Sequence, residues 1–142
     1  MEAGSPSRTA ILTAIHRAAH FLIDDPPKIL EGSFARAFAG FSSDGEFLAS
    51  VDAYVFPDFA AHRANFALRN RYAEDQLAAA IASGTERYVT LGAGLDSFPY
   101  RCPEVLRGLQ IFEIDHPSSQ AWKRVRLAEL GVAFRSTLNA RR

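Results

Sequence analysis

The residues with the sharpest chemical meaning lie in one short stretch, Tyr88-Val89-Thr90-Leu91-Gly92-Ala93-Gly94-Leu95-Asp96. The β-branched and aromatic run from Arg87 to Leu91 reads as a buried strand, and the glycine pair turns the chain at its C-terminal end. Without a Cβ at Gly92 and Gly94 the chain can turn tightly, and a ligand can approach the backbone N–H groups. Gly-x-Gly alone is a weak signal. It gains weight from Asp115, which closes the next apolar run, Gln110-Ile111-Phe112-Glu113-Ile114-Asp115. An acid about twenty residues beyond the glycine turn can accept both hydroxyls of an adenosine ribose. The competing reading is a structural turn, followed by an acid that caps the helix starting at Pro117.

The ribose ligand can be narrowed further. A dinucleotide fingerprint wants a third Gly or Ala three residues after the second glycine, with a helix N-terminus to seat the pyrophosphate. Ser97 stands at that position and Pro99 soon follows. Such a seat suits NAD poorly. S-adenosyl-L-methionine carries no phosphate, so the local chemistry favours it.

Other candidate groups carry less. His16 and His20 are spaced for one helix face, but no acid completes a His-Glu-x-x-His zinc pattern, and they read as a helical-surface pair. Cys102 is the only cysteine, which excludes a disulfide framework and a multi-cysteine zinc site within the chain, and no His partner marks it as a nucleophile. No metal site is expected. Asp24-Asp25 reads as a solvated helix end, and Trp122 as a core or interface residue.

These groups must be positioned by ordinary globular elements. The 142 residues are 48% hydrophobic and 23% charged, a composition that argues against disorder. Net charge is zero, so no overall basic field draws in nucleic acid. The basic residues are fourteen Arg against two Lys, which fits either coding-sequence bias or many carboxylate contacts. Met1 to Asp25 does not read as a signal peptide. The longest smooth apolar stretch, Leu77 to Ala82, is far short of the roughly 20 residues of a membrane span, so a soluble, cytoplasmic protein is expected.

Apolar residues at Ala10, Ile11, Ala14, Ile15, Ala18, Ala19 and Leu22 predict a helix capped by Ser7 or Thr9 and stopped by Pro26-Pro27. A second helical pattern runs from Lys28 to about Ala39, with Gly32 inside it. Gly40 to Gly45 reads as a loop, and Glu46 to Phe59 is ambiguous. A long helix is expected from about Ala61 to Ile81, closed by Gly84. After the glycine turn, Asp96 to Tyr100 reads as a turn or short helical piece, and Pro117 to Leu130 as a helix closed by Gly131. A third strand would start at Val132-Ala133-Phe134.

Together this is an α/β chain. Residues 1–85 form an N-terminal helical cap region, 86–134 open a doubly wound sheet, and 135–142 are an atypical tail. Two strands are too few for an independent sheet of this kind. The chain therefore reads as the N-terminal part of a larger fold, C-terminally truncated. One apolar sheet edge would stay open and favour self-association.

Leu91-Gly92-Ala93-Gly94-Leu95-Asp96-Ser97, Tyr100-Arg101, Phe112-Glu113-Ile114-Asp115-His116-Pro117, Gln120 and Lys123 together resemble the leucine carboxyl methyltransferase-like family. The branch they are most similar to is that of bacterial S-adenosyl-L-methionine-dependent O-methyltransferases. Ser7-Arg8-Thr9-Ala10, Arg17-Ala18-Ala19 and Leu68-Arg69-Asn70-Arg71-Tyr72 carry the same resemblance. It implies a class I, Rossmann-like methyltransferase fold with S-adenosyl-L-methionine as cofactor and a small-molecule acceptor. Gly92, with Gly94 and Asp96 beside it, would line the cofactor, and Asp115 would hold its ribose. Arg69 or Arg71 would reach the methionine carboxylate, with Arg69 aligning slightly better. His116 reads as a turn residue or a contact on the adenine side. Methyl transfer to oxygen depends on positioning and desolvation, and a carboxylate acceptor needs no general base, so no catalytic residue is named. Family members run to about twice this length, so a fragment of this size would bind the cofactor weakly. The alternatives are a non-catalytic interaction fragment and an NAD-binding oxidoreductase fragment.

Overall fold

A computed structural model describes residues 5–51 and 59–133. The first helix, α1 (Arg8–Ile23), begins where the sequence predicts: the Ser7 hydroxyl accepts the Ala10 N–H at 3.1 Å. Its apolar stripe is buried, Ala14, Ile15, Ala18 and Ala19 all facing the core. It ends at Asp24, which is extended ahead of Pro26.

The second helical pattern is corrected. Instead of a helix from Lys28, only one turn forms, α2 (Ala35–Phe38). The reason lies at Gly32, where a Cβ would sit 2.9 Å from the Arg17 carbonyl oxygen and 2.9 Å from Phe21 Cβ. The chain is pressed against α1 there and cannot carry a side chain, a tertiary constraint that periodicity does not report. The expected loop up to Gly45 is shorter than predicted, because α3 (Asp44–Ser50) starts inside it. Ser43 caps α3 by accepting the Glu46 N–H, while Glu46 reaches back to the Ser42 N–H. Most of the ambiguous stretch that follows α3 lies outside the described residues.

The long helix α4 (Ala60–Ala82) packs on α1 and ends as predicted, with the Gly84 N–H donating to the Ile81 carbonyl. Strand β1 (Arg87–Leu91) then pairs in parallel with β2 (Gln110–Ile114), Val89 opposite Phe112 and Leu91 opposite Ile114. Between them α5 (Phe98–Arg101) is a single turn, and after them comes α6 (Pro117–Glu129). The expected third strand from Val132 would run into residues 134–142, outside the described residues, as does the predicted tail.

The sheet's two faces differ. Tyr88, Thr90, Ile111 and Glu113 share one face, and Ile111 and Glu113 are fully buried. On the other face Val89 is 52%, Leu91 75% and Ile114 46% exposed. The burial expected of strands in a doubly wound sheet is therefore found on one face only, within the described residues. One cluster of buried residues joins the helical half to the strands: Ala14, Ile15, Phe38, Phe47, Leu77, Leu95, Tyr100, Ile111 and Leu127 all belong to it.

Several groups read as surface are interior. His16 and His20 are both buried. His16 stacks on Phe66 at 5.0 Å between ring centroids, and burial, with His62 and Arg63 adding, pushes its pKa down. His20 Nδ1 lies 2.8 Å from Asp24, while its Nε2 accepts the Ile29 N–H at 3.2 Å. With Nε2 accepting an N–H, Nδ1 is the ring nitrogen that donates to Asp24. Asp24 is not a solvated helix end, because buried Arg63 on α4 donates to it from Nε and Nη2 at 2.9 and 2.6 Å. Burial alone would raise the Asp24 pKa. Its bonds to Arg63 and His20 outweigh that and hold it below the usual carboxylate range. Trp122 is half-buried and donates from Nε1 to the Phe38 carbonyl at 2.8 Å, joining α6 to α2.

Candidate functional site

The C-terminal end of β1 opens onto a cavity of about 530 Å³, within the range of small-molecule sites. Its walls come from the first half of α1, the middle of α4, the glycine turn and Asp115. Gly92 and Gly94 have φ of +66° and +49°, in the left-handed region where a Cβ is strained. The Gly92 and Ala93 N–H groups donate to the Ile114 carbonyl at 2.8 and 3.2 Å, so the turn is tied to the end of β2. A Cβ on Gly92 would meet no heavy atom within 4 Å, which leaves its cavity side open for close approach.

Asp115 is the centre of this arrangement. Its Oδ2 accepts the Gly94 N–H and its Oδ1 the His116 N–H. The helix cap is a different residue, since His116 Nδ1 accepts the Ser118 N–H at 3.2 Å. An ionised carboxylate offers about four acceptor positions, so two remain on Asp115 beyond its backbone partners.

The two candidate arginines separate. Arg69 lines the cavity, and no ion pair to it occurs among the described residues. Arg71 points elsewhere: its Nε donates to Asp75 at 2.8 Å on the exposed side of α4, and that hydrogen bond, with the charge of Asp75, raises its pKa. Asp96 also lines the cavity. Its Oδ1 accepts the Phe98 N–H at 3.3 Å and lies 3.5 Å from Arg17 Nη1.

Sequence reasoning assigned no role to three charged residues here. Arg17 is buried on α1 and donates from Nη2 to the Leu95 carbonyl at 2.7 Å. Burial lowers its pKa, with Asp96 opposing. Arg101 donates from Nε to Ser97 Oγ at 3.0 Å and from Nη2 to Glu74 on α4. Burial raises the Glu74 pKa against the pull of Arg101. Helical periodicity gave no signal for Arg17, because it falls off the apolar stripe, between Ala14-Ile15 and Ala18-Ala19; its only mark in the sequence is the Arg17-Ala18-Ala19 motif. Gln120 and Lys123, quoted above only as part of a motif, are buried in α6. Lys123 Nζ pairs at 2.9 Å with Glu113, both side chains being fully buried. Burial raises the Glu113 pKa, with Lys123 opposing. Among the described residues no cluster of three or more His, Cys, Asp or Glu could hold a metal ion, and no helix is long and apolar enough to cross a membrane.

Comparison with known proteins agrees with the motif reading. Over residues 10–141 the chain matches the family described as leucine carboxyl methyltransferase. A protein of Bacillus subtilis (strain 168), provisionally named S-adenosyl-L-methionine-dependent methyltransferase YktD, is 41% identical over 66 residues, 46% of this chain and 22% of that one. A provisionally named S-adenosyl-L-methionine-dependent methyltransferase of Parafrankia sp. (strain EAN1pec) is 35% identical over 123 residues, 85% of this chain and 39% of that one. Another, of Mycolicibacterium gilvum (strain PYR-GCK), is 34% identical over 141 residues, 92% of this chain and 44% of that one. The chain thus spans less than half the length of these relatives. The family match covers nearly all of its sequence, including the glycine turn, Asp115 and Arg69, and the chain belongs to the leucine carboxyl methyltransferase family.

Proposed function

We propose that the cavity at the end of β1 binds S-adenosyl-L-methionine, and that the chain is part of a methyltransferase acting on a carboxylate or hydroxyl oxygen of a small molecule. The observation that carries this reading is Asp115, held by the Gly94 and His116 N–H groups with acceptor positions to spare, in the same cavity as Arg69. Asp115 would accept the ribose hydroxyls and Arg69 would clamp the methionine carboxylate, while Gly92 gives the backbone's close approach. The bound cofactor would supply a methyl group already activated on a sulfonium. The work left to the residues described is to bind, orient and exclude water. In this reading the strand, glycine turn and second strand are the opening of a class I, Rossmann-like sheet, with residues 1–85 as its helical cap region.

The NAD-binding reading is disfavoured by α5. It is a single turn, with Ser97 as N-cap and Pro99 near its start, and so offers little dipole for a pyrophosphate. The interaction-fragment reading draws on the bare apolar face of Val89, Leu91 and Ile114, which favours self-association at that side of the sheet. Equilibrium dialysis of radiolabelled S-adenosyl-L-methionine and of NAD tests the function. Binding of the first and not the second is expected, with affinity reduced in Asp115→Ala. Binding of neither, with self-association in sedimentation, would replace the methyltransferase reading by the interaction fragment.

A further inference from the structure

Three consecutive residues after the glycine turn are each gripped by a buried guanidinium, two of them by Arg17 of the distant α1 and the third by Arg101 at the end of α5. The Leu95 carbonyl accepts from Arg17 at 2.7 Å, Asp96 lies 3.5 Å from the same guanidinium, and Ser97 Oγ accepts from Arg101 at 3.0 Å. Arg17 reaches in from α1, and Arg101 is itself pinned to Glu74 of α4. Both side chains are almost wholly buried, 6% and 3% exposed, while the acids they face, Asp96 and Glu74, line the cavity. Burying two guanidinium groups is unfavourable unless their geometry is well satisfied, and an apolar residue would fill the same space without the desolvation penalty. Leu95 itself is already locked in the core, so the arginines are not needed to anchor its side chain. They act on its carbonyl and on the two polar side chains that follow. The link is between elements distant in sequence, since Arg17 and Leu95 are 78 residues apart.

We propose that Arg17 and Arg101 are positioning residues. Arg17 from the cavity wall and Arg101 from behind it hold residues 95–97, and through them the Gly92–Gly94 turn, in the one geometry that offers the Gly94 N–H to Asp115 and keeps Asp96 and Glu74 at the cavity wall. The inference rests on the proposed function for the ligand concerned, but its effect on the turn can be read without any ligand.

The test is amide hydrogen exchange of residues 92–97, combined with titration of S-adenosyl-L-methionine and of its 2′-deoxy analogue. In Arg17→Met, exchange in the turn should quicken by about tenfold or more, as expected for loss of a charge-assisted hydrogen bond. Affinity for both ligands should fall by a similar factor, about tenfold, because preorganisation rather than a ribose contact is lost. Arg17→Lys should recover part of both effects. If Arg17→Met does not fold, Ser97→Ala carries the test, since it removes the Arg101 contact without leaving a new unpaired buried charge. It should still quicken exchange by a few-fold. Exchange unchanged in these variants overturns the proposal, as does faster exchange with unaltered affinity. A wild-type chain that binds neither ligand would instead refute the cofactor assignment, and the exchange result would still decide whether the arginines set the turn.

Discussion

Asp115→Ala offers the sharpest separation between a structural turn and a ribose-binding acid. In the structure the carboxylate makes two hydrogen bonds to backbone N–H groups, Gly94 and His116. Hydrogen bonds to a charged group are worth about 1.5–3 kcal/mol each. The one to exposed His116 belongs near or below the lower end, because water can replace it. A stability loss of about 2–3 kcal/mol is therefore expected from the fold alone. Loss of the ribose contact adds a separate effect on binding, about 2–3 kcal/mol or roughly 30- to 150-fold, if both hydroxyls are accepted by the carboxylate. Stability and binding can be parted by a cycle of protein and ligand changes. Wild type should bind S-adenosyl-L-homocysteine much more tightly than its 2′-deoxy analogue, and Asp115→Ala should bind the two almost alike. Urea unfolding measures the first effect and calorimetry the second. A mutant that keeps the full preference for the ribose hydroxyl would refute the assignment of Asp115, whatever its stability.

Other substitutions probe different parts of the argument. Gly92→Val should add about 1–2 kcal/mol of backbone strain at φ +66° and project its branches toward the cavity, abolishing ligand binding while circular dichroism keeps its helical signal. Lys123→Met leaves Glu113 buried without its partner and should destabilise by about 3–5 kcal/mol in urea melts, whereas the double change Glu113→Met with Lys123→Met should recover most of that. The folded pKa of Asp24 is depressed, so its share of stability is present above the ordinary carboxylate range and lost as pH falls through the folded value. Asp24→Asn should therefore be less stable than wild type at pH 7 and should lose less on acidification, as followed by chemical denaturation at several pH values. Leu91→Glu tests the interaction-fragment reading: if the exposed face of Val89, Leu91 and Ile114 drives self-association, the change should reduce it in sedimentation velocity and leave exchange in the glycine turn unchanged.

Elements governed by local chemistry were legible in the sequence. The Ser7 cap, the apolar stripe of α1, the glycine after α4, both strands and the turn between them follow from spacing and side-chain type. Elements governed by contacts between distant segments were not. The helix expected from Lys28 is refused because Gly32 lies against α1, and Asp24, read as a solvated helix end, is bound by the buried Arg63, 39 residues along the chain. A buried cation reads as a surface cation until its partner is known. Arg17 shows the same limit, since it stands between Ala14-Ile15 and Ala18-Ala19 where the periodicity expects a solvated residue, and yet it is buried.

The choice between Arg69 and Arg71 shows why motif and structure answer different questions. Two residues along an α-helix turn the side chain by about 200°, so a pair two apart cannot face one site together. The motif Arg69-Asn70-Arg71 cannot say which member faces inward, because α4 carries little apolar periodicity of its own to orient it. Its rotation is set by Ala67 and Arg63 against α1, and that packing turns Arg69 toward the glycine turn while Arg71 pairs with Asp75 outside. The same contact that buries Arg63 on Asp24 thus selects the arginine available to a ligand. The site is therefore not confined to the glycine turn and the acid after it: α1 fixes the turn through Arg17 and, by the way it receives α4, also fixes which cation stands across the cavity.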